Sequence, residues 1–167
     1  MTARQHILLR AATESDVPLI VSLVHELAEY ERLADKCIAD DDSVRRALFE
    51  DRSAEIVLAL LDDNVAGYAL FFRSFSTFLM RSGVFLEDLY VRPQFRHQGV
   101  GLELLRYLAR YAVEKGYPRV EWSVLRWNRL AIDFYEKLGA QPLEDWLSFR
   151  LSGEPLERLA EPRSEPA

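Results

Sequence analysis

The chain has 167 residues, 49% of them hydrophobic, and a formal net charge of −6. A chain of this length buries a sufficient core as one domain without disulfides or a metal, and the single Cys37 excludes an internal disulfide framework and fits a reducing compartment. The acidic balance argues against a general nucleic-acid binder and would attract a cationic small molecule. No apolar stretch of signal-peptide length follows the first six residues, and the longest apolar run, 65–72, is too short for a bilayer, so no membrane association is expected and the expected setting is cytoplasmic.

Residues 6–10 predict a first strand. Thr13, with Asp16 three residues on and Pro18 in the first turn, signals a helix whose apolar face runs through Val17, Ile20, Val24 and Leu27 and which ends between residues 30 and 33. Its acids Glu26, Glu29 and Glu31 read by default as a solvated face. Asp40-Asp41-Asp42-Ser43 predicts capping and dipole partners for a second helix reaching Phe49. Two β-rich runs, 54–61 and 65–75, are joined by the hairpin signal Asp62-Asp63-Asn64, and 77–83 is a turn region.

Residues 85–91 predict the central strand, stopped by Arg92-Pro93. Strict alternation would put Phe85, Glu87, Leu89 and Val91 on one face and Leu86, Asp88 and Tyr90 on the other. Carboxylates inside an apolar, covered strand are costly unless paired or used, so Glu87 and Asp88 are candidate functional residues; the alternative is an edge strand with solvated acids. Gly99-Val100-Gly101 then opens a helix. A strand, a tight loop and a helix start present consecutive backbone N–H groups at a positive helix end, which suits a phosphate or pyrophosphate, with Arg96 as a charged donor. A lone Gly-x-Gly also opens helices for purely structural reasons. The stretch is not a dinucleotide fingerprint, since position 104 is Leu104, and it lacks the Gly-Lys-Ser/Thr of a nucleotide triphosphatase loop.

Leu104, Leu105, Leu108 and Ala112 form a core-facing stripe ending at Gly116, with Tyr107 and Tyr111 as packing residues. Residues 118–124 predict the next strand. Asn128 is a good N-cap for a helix with Leu130, Ala131, Phe134, Tyr135 and Leu138 on its apolar face, stopped by Gly139; on pattern alone Tyr135 is a core aromatic. Residues 141–151 predict a last strand bearing Glu144 and Trp146, and 154–160 a helical turn. The order β, α, α, β, β, β, α, β, α, β predicts a mixed α/β sheet with helices on both faces, one domain over 1–160 and a frayed tail at 161–167.

Leu86-Glu87-Asp88-Leu89-Tyr90-Val91 followed by Phe95-Arg96-His97-Gln98-Gly99-Val100-Gly101 resembles the Arg/Gln-x-x-Gly-x-Gly/Ala acetyl-CoA signature of the GNAT acetyltransferases, most closely the diamine (spermidine/spermine) acetyltransferase group, including thialysine acetyltransferases. Glu26-Leu27-Ala28-Glu29-Tyr30-Glu31, Trp127-Asn128, 133–140 and Glu144-Asp145-Trp146 extend the resemblance over roughly residues 6–151. It implies a mostly antiparallel sheet splayed between its fourth and fifth strands, and acetyl-CoA as co-substrate with no metal. The pantetheine would bond to the main chain at Leu89, Tyr90 and Val91, the pyrophosphate would sit on Arg96, His97, Gln98, Gly99, Val100 and Gly101, and Asn128 would help hold the pantetheine arm. A homodimer is implied as well.

The implied reaction is direct attack by a primary amine of a small cationic acceptor on the acetyl thioester. Glu87 would take the amine proton and Asp88 bind the cation, or the reverse; Tyr135 would serve the leaving thiolate. Glu29 or Glu31, Glu144 and Trp146 match acceptor-side positions, although an exposed acid and a packing tryptophan are an equal reading of the last two. Polyamine acetyltransferases carry an acid and a tryptophan where this chain has Thr77 and Leu79, which speaks against spermidine or spermine specificity. The alternatives are a protein or peptide amine as acceptor, or a CoA-binding module without catalysis.

Overall fold

The computed structural model describes residues 6–162 and divides into two compact units that meet in sequence at Leu125 and Arg126. In the first, β1 (Ile7–Ala11), β2 (Glu55–Leu61), β3 (Asn64–Ser76), β4 (Arg81–Val91) and β5 (Val120–Trp122) form one five-stranded sheet in sequence order. All neighbours are antiparallel except β4 and β5, which are parallel. The helices of this unit are α1 (Val17–Tyr30), α2 (Asp41–Arg45, continued by a π turn to Glu50) and α3 (Val100–Glu114).

α1 starts where the sequence signals it. The Thr13 N–H and hydroxyl both donate to Asp16, and Arg10 donates to both Asp16 oxygens at 2.8 and 2.7 Å. These bonds, that from Arg10 first, hold the Asp16 carboxyl well below the usual carboxylate range. The helix buries Val17, Ile20, Leu23 and Leu27 against Ile56, Leu58, Tyr68 and Tyr90 of the sheet. Full burial of such side chains contributes roughly 1.5–3 kcal/mol each, enough to fix the helix in place. On the opposite face α3 brings Tyr107 and Tyr111 edge-on to Phe71, at 6.3 and 5.2 Å between ring centroids. Helices therefore do cover both faces.

Strict alternation along β4 fails at one point. Leu70 pairs with Asp88 while Phe71 pairs with Leu86, so Glu87 is the extra residue of a β-bulge. Phe71 faces α3 and Leu70 faces the α1 cluster; Leu86 and Asp88 thus lie on opposite faces, not on the same one. Gly67, on β3, is required nearby: a Cβ there would lie 2.2 Å from the Tyr90 carbonyl oxygen.

The second unit contains α4 (Arg129–Lys137) and α5 (Glu154–Ala160). The strand expected over 141–151 is not formed; those residues are irregular and exposed. Its alternation is real at Leu147, Phe149 and Leu151, but a strand exists only through ladder bonds to a neighbour, and in the described residues this segment has none. The expected strand 118–124 shortens to three residues, and the expected tail lies, from residue 163 on, outside the described residues.

Candidate active site

The splay of β4 from β5 is visible in the register. Their pairing covers Val84, Phe85 and Leu86 only, leaving 87–91 without a partner on that side among the described residues. The Arg92 N–H donates to the Ala66 carbonyl on β3 at 2.9 Å. Backbone alternation from that bond turns Leu89 and Val91 toward the open edge and Tyr90 toward β3. An extended ligand laid along this edge would find main-chain groups that no neighbouring strand takes up, although the Val91 carbonyl already accepts from Arg96 Nε at 3.0 Å.

The loop after β4 is a single 3₁₀ turn, Pro93–Phe95, followed by residues with left-handed backbone at His97 (φ 61°) and Gly99 (φ 86°). Gly99 caps α3 without any side-chain hydrogen bond, so the first-turn N–H groups of Val100, Gly101 and Leu102 have no intrahelical acceptor. Val100 is buried and anchors the turn. Gln98 donates through its amide to the Gln94 carbonyl at 2.8 Å, bracing the loop from within. The helix end and its uncapped N–H groups form a cradle suited to a pyrophosphate.

Two arginines fix this loop to the rest of the unit. Arg92 grips both carboxylate oxygens of Glu26 at 2.9 and 2.7 Å and donates to the Val65 carbonyl at 3.0 Å. Glu26 is therefore no solvated acid: bonds from Arg92 above all hold its carboxyl below the ordinary range, and Tyr90 also donates to it. Arg96 donates from Nε to the Val91 carbonyl at 3.0 Å while its guanidinium lies over the Tyr30 ring, 4.4 Å from the centroid. One helix, α1, thus supports both arginines, a link that only a three-dimensional structure reveals because Glu26 and Arg92 are 66 residues apart.

The acids gather around Tyr68. Glu87 is exposed at the bulge, and Asp88 is half-buried and accepts a hydrogen bond from the Tyr68 hydroxyl at 3.2 Å. Burial pushes the Asp88 carboxyl up to about 6; the Tyr68 bond opposes that rise, and the Glu87 and Glu31 charges add to it. Burial likewise raises Glu31 at the end of α1. Glu29 is exposed on the other side of the helix end, so the structure brings Glu31, not Glu29, to the acids of β4. Tyr68 escapes a reading of the sequence because it sits in the apolar run 65–72, where an aromatic residue is ordinary core.

In the second unit Asn128 caps α4 by accepting from the Ala131 N–H at 3.2 Å, as its position predicts. Tyr135 is half-buried on α4, with its ring centroid 5.5 Å from that of Phe134. Glu144 and Trp146 lie in the irregular segment, and Trp146 is 72% exposed, so it is no packing residue among the described residues. Among the described residues no group of three or more His, Cys, Asp or Glu side chains could hold a metal ion, and no helix is long and apolar enough to cross a membrane.

Comparison with known proteins agrees with this architecture. The family model described as "Acetyltransferase (GNAT) family" matches residues 20–140. The thialysine N-epsilon-acetyltransferase of Bos taurus is 37% identical over 92% of this chain and 97% of that protein. The L-ornithine N5-acetyltransferase NATA1 of Arabidopsis thaliana is 31% identical over 90% of this chain and 86% of that protein. Among solved structures, an integron cassette protein from the mobile metagenome of V. cholerae superposes with a TM-score of 0.79, covering 93% of this chain and 98% of that one at 24% identity, which speaks for the fold. Members of the family use acetyl-CoA as co-substrate. The chain belongs to the GNAT acetyltransferase family and is an acetyl-CoA-dependent N-acetyltransferase.

Proposed function

We propose that this enzyme acetylates a primary amine of a small cationic acceptor, with a lysine-like or ornithine-like amino acid, as in the names of its relatives, ahead of a polyamine. The observation that carries this is the acid group beside Tyr68: burial and the Glu87 and Glu31 charges raise Asp88, and among the described groups acting on it the Tyr68 bond alone opposes them. An incoming ammonium supplies the missing positive charge. Thr77 and Leu79, where polyamine acetyltransferases have an acid and a tryptophan, support the amino-acid acceptor over spermidine. A protein or peptide amine is the second reading.

Acetyl-CoA supplies the acyl group as an activated thioester. The open-edge main chain at Leu89 and Val91 would hold the pantetheine as an added strand, with Asn128 helping to hold the arm, and the Gly99 cradle with Arg96 would hold the pyrophosphate. An N–H of the 89–91 stretch would polarise the thioester carbonyl. An aliphatic amine with pKa near 10 arrives as ammonium and must lose a proton before attack. Asp88, whose proton affinity lies near the working pH, is the better-matched base, and Glu87 at the bulge would hold the cation with Glu31. The acceptor nitrogen arrives with three protons and leaves with one. The first would pass to Asp88 and on to solvent; as C–N replaces C–S the second would leave the nitrogen for solvent while the departing thiolate gains one proton, a donor role that the family resemblance gives to Tyr135.

Thiol release from acetyl-CoA over thialysine, lysine, ornithine, putrescine, spermidine, an aminoglycoside and an N-terminal peptide tests this in wild type, Glu87→Gln, Asp88→Asn and Tyr135→Phe. The expected result is turnover on an amino-acid side-chain amine, lowered at least tenfold in Asp88→Asn and Tyr135→Phe, with KM for the amine raised in Glu87→Gln. Turnover confined to the peptide would overturn the small-acceptor reading. The same proposal includes a cytoplasmic homodimer, for which sedimentation of the purified enzyme is the check.

A further inference from the structure

Tyr68 has no solvent exposure. It packs with Val17, Ile20, Leu23 and Leu58, and its ring centroid is 6.3 Å from that of Tyr90. A buried phenol needs a partner for its hydroxyl, and here the partner is Asp88, twenty residues on. Burial first, then the Asp88 charge, pushes the phenol well above its ordinary range, so it remains a donor wherever the enzyme works.

The groups facing Asp88 are few. Tyr68 approaches from β3, Glu87 from the same strand and Glu31 from the end of α1. Tyr90 adjoins the phenol and is itself tied to Glu26, beside Arg92 and Arg96. Of the groups acting on Asp88, Tyr68 alone favours the charged carboxylate, while burial, Glu87 and Glu31 favour the neutral acid.

We propose that Tyr68 is a positioning residue of acetyl transfer: its buried hydroxyl fixes the Asp88 carboxylate and keeps it in the charged form that receives the acceptor's proton. A phenylalanine would fill the same space but leave Asp88 between two like charges with no donor. The inference rests on the reading of Asp88 as the group serving the amine.

The test is kcat/KM against pH, from 5.5 to 9, for wild type, Tyr68→Phe and Asp88→Asn on an accepted amine, with the Asp88 carboxyl carbon followed by NMR in wild type and Tyr68→Phe. Loss of one hydrogen bond to a charged carboxylate, about 1.5 kcal/mol at the low end, corresponds to about one pH unit, or about tenfold in proton affinity. Tyr68→Phe should therefore move the acid limb and the Asp88 titration upward together by about that much, losing about fivefold near pH 6, approaching tenfold below it, and converging on wild type above pH 8.5. An unmoved acid limb with an unmoved titration would overturn the proposal, because a merely structural loss lowers the rate without displacing the profile. Full activity in Asp88→Asn would instead sink the reading of Asp88 as the base, and the NMR titration would still report on Tyr68. If Tyr68→Phe does not fold, the wild-type Tyr68 hydroxyl proton decides: it should be protected from exchange and shift as Asp88 titrates, and a freely exchanging proton refutes the bond.

Discussion

The buried Asp88 carboxylate is held at a cost to the fold. Its ordinary value of 3.8 rises to about 6 in the native state, chiefly through burial. The native protein therefore holds this proton more tightly than the unfolded chain does, so stability falls as pH rises from about 4 through about 6 and the penalty is complete above that. Two units at 1.36 kcal/mol each put the penalty at up to about 3 kcal/mol. Asp88→Asn should accordingly raise the urea midpoint at pH 7.5 and leave it nearly unchanged at pH 4, while activity falls; equal midpoints at pH 7.5 would mean that burial does not strain this carboxylate. The pair Glu87-Asp88 was legible in the sequence because acids in an apolar strand are conspicuous. That Asp88 and Leu86 lie on opposite faces was not, because a bulge is a mismatch between two strands and no single strand encodes it. Glu26 was misread for a related reason: its periodicity on α1 suits solvent, and its partner Arg92 comes from a distant loop.

The strands were legible as elements through their apolar runs and the turn residues between them, and the Gly-x-Gly loop through its position between strand and helix. What escaped was the fate of 141–151, where alternation alone does not supply a neighbouring strand. At this scale the tightest constraint is Gly67, whose absent side chain lets β3 approach the Tyr90 carbonyl at the base of the open edge. A methyl group there meets backbone, which cannot rotate aside. Gly67→Ala should cost about 1–3 kcal/mol, as overpacked sites do, and should raise KM for acetyl-CoA more than KM for the amine, because the displaced strand carries Leu89 and Val91. Denaturant unfolding and steady-state kinetics on the variant check both parts, and an unaltered KM for acetyl-CoA would show that the open edge does not hold it.

Over the whole molecule, 27 acidic against 21 basic side chains give a field that draws cations in from solution. Surface charges are screened beyond a Debye length of about 10 Å at 0.1 M salt. For a cationic acceptor, kcat/KM should therefore fall several-fold as ionic strength is raised from about 0.02 to 0.3 M, and kcat at saturation should change little. A salt-independent kcat/KM would mean that capture of the amine is purely local.

The same helix supports two different jobs. Within six residues α1 and its end supply Glu26 to Arg92, Tyr30 to Arg96 and Glu31 to the field around Asp88. A substitution that reshapes this turn therefore also disturbs the braces of the loop before α3. On the proposed roles, substitutions outside 26–31 should alter acceptor preference with less loss of acetyl-CoA affinity than substitutions within it.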